Sequence, residues 1–250
     1  MSNLNTAPIS LLREETTKLG LGLSDSQLGQ FIKFMDMLLE WNKKINLTTI
    51  IEEKEIIIKH FIDSLLSLRY INEIEEKPNS LNLIDIGTGA GFPGIPLKIA
   101  KPDISLTLLD ATKKKVGFLN EVVKELEFKN VKCLHARAEE AGRLADMREK
   151  YDAAVSRAVA PLVILAEYCL PFVKVNGRFI ALKGQDLENE IMEASGIINI
   201  LGGEAADVIK INTLNMNRTI IVLNKKKDTP MEYPRKNKKI KPRQSCKAKV

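Results

Sequence analysis

The sequence lacks the marks of secretion and of membrane insertion. Its opening residues, MSNLNTAPISLLREETTKLG, contain neither the basic start nor the continuous apolar stretch of a secretory signal. No apolar run reaches the length of a membrane span, because charged residues and prolines interrupt even the most apolar region, residues 153–175. We therefore expect a cytoplasmic protein with no membrane partner.

Cysteine is also scarce. Cys133, Cys169 and Cys246 are the only three in 250 residues, and their spacing is not that of metal ligands. Unclustered thiols suit a reducing compartment and argue against a disulfide framework, so we expect no metal site and no disulfide. With 44 % hydrophobic and 28 % charged residues, the chain can form one large domain with appendages.

Positive charge is concentrated at one end of the chain. The total is +6, but residues 225–250 carry +9 and residues 1–224 carry −3. Eleven basic residues account for this: Lys225, Lys226, Lys227, Arg235, Lys236, Lys238, Lys239, Lys241, Arg243, Lys247 and Lys249. A basic tail on a mildly acidic body attracts polyanions such as nucleic acid, although a solvated terminus is the alternative.

Residues 1–72 carry the apolar spacing of amphipathic helices. Ser24, with Gln27 three positions later, forms a capping-box signal for the start of a helix. Apolar residues then recur at helical spacing, first Leu28, Phe31, Ile32, Met35, Leu38 and Leu39, then Ile57, Phe61, Leu65 and Leu68. We interpret Trp41 and His60 as core and cap residues rather than ligands. The pattern predicts an N-terminal helical cap.

From residue 81 onward, short apolar runs alternate with helix-length segments. Five runs predict strands: LNLIDI (81–86), SLTLLD (105–110), VKCLHA (131–136), DAAVSR (152–157) and GRFIALK (177–183). Such strands, separated by helices, are typical of a parallel sheet covered on both faces. ADVIKI (206–211) and RTIIVLN (218–224) are close enough to form a hairpin. We predict an α/β fold with a seven-stranded, mostly parallel sheet.

A glycine-rich loop follows the first of these strands. Residues 85–94 read DIGTGAGFPG, which satisfies G-x-G-x-G but places Phe92 where a dinucleotide-binding loop needs its third glycine. The loop therefore resembles the S-adenosylmethionine loop of Rossmann-like class I methyltransferases. Asp110 ends the second strand, where a carboxylate can accept hydrogen bonds from both ribose hydroxyls of a nucleotide-like cofactor.

The remaining strand ends extend this resemblance over nearly the whole chain. DIGTGAGFPGIPL, LLDATKKKVGFLNEV, ARAEEA, SRAVAPL, FIALKG and YPRK, with LLEWNKKINLTTI and KHFIDSL upstream, resemble the bacterial 16S rRNA guanine-N7 methyltransferases, the small subunit methyltransferase G family. The resemblance implies S-adenosyl-L-methionine as cofactor and 16S rRNA or the small ribosomal subunit as partner. We also expect a monomer. We divide the chain into a cap (1–72), a cofactor-binding methyltransferase domain (73–224) and a basic tail (225–250).

The same resemblance implies a set of cofactor-binding residues. Gly87 and Phe92 would lie on the methionine and ribose side, Asp110, Ala111 and Thr112 around the ribose and adenine, and Ala138 and Glu139 at the adenine edge; Gly89 belongs to the same loop. Arg157 would close the pocket after the fourth strand, pairing with the cofactor carboxylate, with an RNA phosphate, or in a structural ion pair. Lys183 would contact substrate or be a solvated loop lysine.

The sequence predicts no catalytic acid, base or nucleophile. Pyrimidine C5 methylation needs a cysteine at the site, and exocyclic-amine methylation usually needs an Asn or Asp followed by Pro-Pro-aromatic, whereas this chain reads SRAVAP at residues 156–161. Guanine N7 has an in-plane lone pair and no proton to lose, so alignment with the methyl donor can suffice.

Two other functions stay open at this stage. One is an S-adenosylmethionine enzyme with a small-molecule or protein acceptor, which leaves the basic tail unexplained. The other is a non-catalytic nucleotide-binding regulator.

No cofactor motif lies beyond Asn224, and the eleven basic residues of the tail lie outside every predicted strand and helix. We therefore expect truncation after Asn224 to leave the fold intact and to weaken RNA binding.

Overall fold

The N-terminal part of the chain is helical. The computed structural model describes residues 7–74, 81–157, 160–184, 187–213 and 216–236. It contains α1 (Ala7–Lys18), α2 (Asp25–Asn42), α3 (Glu53–Ile56), a π-helical turn (Ile57–Ile62), α4 (Asp63–Leu65) and α5 (Leu68–Asn72). The predicted capping box at Ser24 and Gln27 is confirmed at the start of α2.

A seven-stranded sheet follows, in the order β3-β2-β1-β4-β5-β7-β6. Its strands are β1 (Asn82–Ile86), β2 (Ser105–Asp110), β3 (Val131–His135), β4 (Tyr151–Ser156), β5 (Val173–Lys183), β6 (Gly203–Thr213) and β7 (Met216–Lys225). The first five pair in parallel, while β7 runs antiparallel to β5 and to β6. The predicted strand number and directions are confirmed, although β5 and β6 begin earlier than the sequence suggested.

Two hydrophobic cores cover the two faces of the sheet. The intervening helices are α6 (Gly94–Ala100), α7 (Lys113–Glu125), α8 (Ala138–Ala141), α9 (Leu162–Cys169), with a 3₁₀ turn (Leu170–Phe172) after it, and α10 (Glu188–Ile200). One core combines the N-terminal helices with α6, α7 and one sheet face; the other combines α8, α9 and α10 with the opposite face. The division between cap and methyltransferase domain stays a prediction, because the two segments share a core.

Aromatic rings join the N-terminal helices to the glycine loop. The Phe34 ring lies 5.3 Å from Phe92, 5.8 Å from Phe61 and 6.4 Å from Phe118, centroid to centroid. Aromatic side chains bury large apolar areas and pack in tilted or offset geometries at such distances. This cluster therefore fixes α2 and the π-helical turn against the loop that follows β1.

The first part of the basic tail is integrated into the domain, contrary to our expectation. Lys225 is the last residue of β7 and is fully buried; its Nζ donates to Leu170 O at 2.8 Å and Thr229 Oγ1 at 2.6 Å, and pairs with Glu149. Arg235 forms an ion pair with the buried Glu167 at 2.7 Å. Placing all eleven basic residues outside the regular structure was wrong for Lys225, because charge counting does not reveal buried partners.

Residues 237–250, which carry six of the basic residues and Cys246, lie outside the described residues. In the described part of the chain, no helix is both long and apolar enough to cross a membrane.

Candidate cofactor-binding site

The predicted site residues lie at one edge of the sheet. Gly87 follows β1, Asp110 ends β2, Ala138 follows β3 and Arg157 follows β4. These four strands are neighbours and run in parallel, so their carboxyl ends meet at the same edge. Open α/β sheets bind their ligands at this edge, where the strand order reverses.

The glycine loop needs glycine at several positions. Gly87, Gly89 and Gly91 have φ values of +70°, +63° and +95°, in the region that L side chains rarely adopt. A Cβ atom at Gly87 would meet no atom within 4 Å, whereas one at Gly94 would lie 2.5 Å from Leu108 Cδ2. Gly94 therefore serves close packing, and Gly87 leaves an open surface that a ligand can approach.

Asp110 is held by two backbone amides of the loops around it. Its Oδ2 accepts from Gly89 N at 2.9 Å and its Oδ1 accepts from Thr112 N at 2.7 Å, and the residue is 7 % exposed. A carboxylate oxygen can accept a second hydrogen bond, so both oxygens retain capacity for a ribose hydroxyl. These contacts bring Gly89, Asp110 and Thr112 together, with Ala111 exposed between the last two.

Asp85, to which the sequence analysis gave no role, is the most unusual group in the loop. It is fully buried; its Oδ2 accepts from Thr88 Oγ1 at 2.6 Å and Gly94 N at 2.8 Å, but its Oδ1 has no partner among the described residues. Burial raises the pKa of Asp85 to about 7. The sequence did carry a signal for this role, since an acidic residue stands within the apolar run LNLIDI just before the glycines.

The structure places Ala138 and Glu139 at the start of α8, just past the end of β3. Glu139 is 6 % exposed, and its Oε1 has no hydrogen-bond partner in the described part of the chain. A buried carboxylate oxygen without a donor is costly.

Phe92 faces the N-terminal helices. Its side chain is buried, and its ring stacks on His60 at a centroid distance of 4.5 Å. Since the ring is covered on that side, Phe92 would meet a cofactor mainly through its backbone.

Arg157 forms the structural ion pair that was one of its three expected roles. Its Nη1 lies 3.1 Å from Asp63 Oδ2 and donates to Lys59 O at 3.0 Å, and its guanidinium carbon lies 4.8 Å from the Phe92 ring centroid. Asp63 is fully buried, so this pair fixes Arg157 beside the glycine loop.

A family profile described as rRNA small subunit methyltransferase G matches residues 27–221. The chain belongs to this family. It is 48 % identical over 227 residues to ribosomal RNA small subunit methyltransferase G of Desulforamulus reducens, covering 90 % of this chain and 93 % of that protein. The Alkaliphilus oremlandii protein of the same name is 49 % identical over 230 residues, covering 90 % and 94 %. The family resemblance of the strand-end motifs is thus confirmed.

A solved structure supports the fold assignment of this family member. Magnesium protoporphyrin IX methyltransferase from Synechocystis, with bound S-adenosylmethionine, is 15 % identical and superimposes with a TM-score of 0.53 over 89 % of this chain and 99 % of that one. At this identity the likeness concerns the fold alone, and it confirms the predicted class I methyltransferase architecture.

His60, which stacks on Phe92 of the glycine loop, is neutral. Burial, followed by the nearby Arg157, lowers the pKa of His60 to about 3. His60 Nδ1 lies 3.1 Å from Arg157 Nη2 and 3.2 Å from Lys59 O. A guanidinium can only donate, so we assign Nδ1 as the acceptor from Arg157, which leaves Nε2 to donate to Thr48 Oγ1 at 2.9 Å. His60 is buried, as expected of a core residue, and its expected role as a cap residue rather than a ligand stays a prediction.

Lys183 is not the solvated loop lysine that was one of its two expected alternatives, and its contact with substrate stays a prediction. It is the last residue of β5, its side chain is 9 % exposed, and its Nζ donates to Ala160 O at 2.9 Å and pairs with Glu190. The sequence did not reveal this pairing, because Glu190 lies on the following helix.

The described thiols are poorly placed for nucleophilic chemistry. Cys133 lies in β3, where burial raises its pKa to about 11, and Cys169 is fully buried in α9. No group of acidic, cysteine and histidine side chains suited to a metal ion occurs among the described residues.

Proposed function

We propose that this chain transfers the methyl group of S-adenosylmethionine to N7 of a guanosine in 16S rRNA. The observation that carries the proposal is the family match, which spans residues 27–221 and includes each strand-end loop that forms the site edge. The open surface over Gly87, beside the anchored carboxylate of Asp110, supports a nucleoside-containing cofactor at this edge.

The residues at the edge fit this cofactor. Bound S-adenosylmethionine would supply an electrophilic methyl group on its sulfonium. Gly87, Gly89 and the Phe92 backbone would form the surface beneath it, and Asp110, Ala111 and Thr112 would surround its ribose. Ala138 and Glu139, which begin α8 past the end of β3, would lie at its adenine edge.

Negative charge at this edge suits a cationic cofactor. Asp110 lies at the site, while Arg157 is already paired with Asp63. Arg157 would therefore close the site by position rather than as an unpaired cation.

The chemistry of N7 explains why no catalytic group is needed. The N7 lone pair forms the new bond to carbon while the carbon–sulfur bond breaks, and no proton moves in the step. The protein then has to bind and orient the two partners. A neutral His60 and high-pKa thiols are consistent with such a site.

The acceptor would be an accessible guanosine rather than one in a regular helix. N7 faces the major groove, which is deep and narrow in A-form RNA, so we propose a target in a loop, a bulge or a flipped-out position. We further propose a cap of residues 1–72, a methyltransferase domain of 73–224 and a basic tail of 225–250, whose first residue, Lys225, is still part of β7. The protein would act as a monomer in the cytoplasm.

Methyl incorporation from labelled cofactor tests the proposal. The protein is incubated with free 16S rRNA, small subunits and complete ribosomes, and the products are digested and analysed by nucleoside mass spectrometry. Label in 7-methylguanosine of small-subunit rRNA is the expected result. RNase-resistant label would favour a non-RNA acceptor, and cofactor binding without transfer to any RNA would favour a regulator.

A further inference from the structure

A second cavity adjoins the cofactor site. It has a volume of about 440 Å³ and is lined by Ile50, Lys59, His60, Arg157, Leu182, Lys183, Gly184 and Arg218. We call it the basic cavity. His60 and Arg157 separate it from Phe92 of the glycine loop, at 4.5 Å and 4.8 Å from the Phe92 ring centroid. Arg157 also follows β4 at the carboxyl-end edge of the sheet, so the cavity adjoins the edge proposed for the cofactor.

The cavity carries an excess of positive charge. One fully buried carboxylate, Asp63, serves two arginines: its Oδ2 lies 3.1 Å from Arg157 Nη1, and its Oδ1 accepts from Arg218 Nε at 2.8 Å. The two lysines of the wall each have their own acidic partner, Lys59 with Glu55 and Lys183 with Glu190. Two arginines sharing one acid leave one positive charge uncompensated at the wall.

Arg218 has free donors in a fixed orientation. Its Nε is bound to Asp63, but its terminal Nη1 and Nη2 make no hydrogen bond to any described residue, and its side chain is 32 % exposed. A guanidinium presents its terminal donors as a planar fork that matches phosphate oxygens. Because Asp63 binds the Nε atom, the guanidinium is already held in one orientation, with Nη1 and Nη2 available to a ligand.

The π-helical turn explains how these groups converge. The amide of Asp63 donates to Ile58 O, five residues back, and to His60 O, while Lys59 O accepts from Arg157 Nη1 at 3.0 Å. This local widening lets Lys59 and His60 line the cavity while Asp63 lies under both arginines.

We propose that the basic cavity binds the acceptor nucleotide, and that Arg218 holds the phosphate of this nucleotide through Nη1 and Nη2. The inference rests on the proposed function, whose acceptor it places. Arginine commonly binds guanine at O6 and N7, but that contact would block the methylated atom. Binding of the phosphate leaves N7 free, and Ile50 and Leu182 provide apolar surface for the base.

The first test compares Arg218→Lys with Arg178→Lys. Lysine keeps a positive charge beside Asp63 but loses the fork. Arg178 is a matched control: it is 24 % exposed, pairs with Glu73 at 3.0 Å and lies opposite Asn224, at the far end of the β5–β7 pairing from Lys183. We expect Arg218→Lys to lower kcat/KM for the small subunit about tenfold and to leave cofactor affinity within about twofold.

The control variant should match the wild type in both measurements. A value of kcat/KM for Arg218→Lys equal to that of the control would overturn the proposal, as would an equal loss of cofactor affinity. If the wild-type protein methylates no rRNA, the proposed function fails, and a second experiment decides the cavity assignment independently.

That second experiment uses ligand-observed NMR with protein loaded with S-adenosylhomocysteine. Guanosine 5′-monophosphate and guanosine are the probes. The wild type and Arg178→Lys should bind the monophosphate more tightly than the nucleoside, and Arg218→Lys should lose this preference. No preference in the wild type, or a preference retained in Arg218→Lys, would contradict the proposal.

Discussion

Replacing Asp85 with asparagine should change how the stability of the cofactor-free protein depends on pH. Burial raises the pKa of this carboxyl from 3.8 to about 7, so the native state holds its proton more tightly than the unfolded state does. As pH rises from about 4 to 7, the unfolded chain ionises at Asp85 while the native protein stays protonated there. The contribution of Asp85 to stability therefore falls with rising pH across this window and is constant above it.

The size of the effect follows from the shift. About three pKa units at about 1.36 kcal/mol each give roughly 4 kcal/mol, and no discount for solvent applies because the side chain is fully buried. Asparagine keeps one oxygen for Thr88 and Gly94 but cannot ionise. Any cost of its amide replacing Oδ1 is the same at every pH.

Urea unfolding of both proteins between pH 4.5 and 8 measures the difference in free energy of unfolding. Relative to wild type, Asp85→Asn should gain about 3–4 kcal/mol from the lower to the upper pH. The lowered pKa of His60 acts in the opposite direction, with stability lost as pH falls below 6.5, but it is present in both proteins and cancels in the difference. A difference that does not change with pH would refute the reasoning.

Three further predictions concern the site, the packing of the loop and the tail. Asp110→Ala should weaken S-adenosylmethionine by about 1–3 kcal/mol in calorimetry, since ribose hydrogen bonds and the anchor of Gly89 N are lost; unchanged affinity in a folded variant would remove Asp110 from the site. Gly94→Ala should lower the free energy of unfolding by about 1–3 kcal/mol, because the new Cβ would lie 2.5 Å from Leu108 Cδ2. Gly117→Ala in α7, where the glycine has open space around it, should raise the free energy of unfolding slightly. Equal effects of the two substitutions would contradict the packing argument. Truncation after Lys236 should keep the melting temperature and flatten the slope of log RNA affinity against log salt by about two to three units. An unchanged slope for this variant would show that the tail is a solvated terminus. Truncation after Asn224 should lower the melting temperature, because it removes the buried Lys225.

The fold could be predicted because local patterns and global architecture agree. Apolar runs after residue 81 match the strands to within a few residues, and their order along the chain suffices for a parallel sheet ending in a hairpin. The early start of β5 was missed because the first four residues of the strand, VKVN, are partly exposed and contain no apolar run. The π-helical turn was missed because apolar spacing does not register one extra residue in a turn.

The candidate site was predictable where its residues form a local motif. The glycine loop and Asp110 each lie at the end of one strand, so spacing along the chain was informative. Asp63 and Arg218 are 155 residues apart and meet only through the sheet topology. The buried contacts of Lys183 and Lys225 were hidden for the same reason: a count of charges does not show which of them are paired.

Chemical cleavage of the modified RNA tests the central claim most directly. A 7-methylguanosine makes the strand cleavable after borohydride and aniline treatment. Small subunits incubated with S-adenosylmethionine and the wild-type protein should give cleavage at one guanosine of 16S rRNA, and omission of either should give none. Methyl label in the rRNA without aniline cleavage, or label recovered as 5-methylcytidine, N2-methylguanosine or N6-methyladenosine, would contradict the assignment of N7.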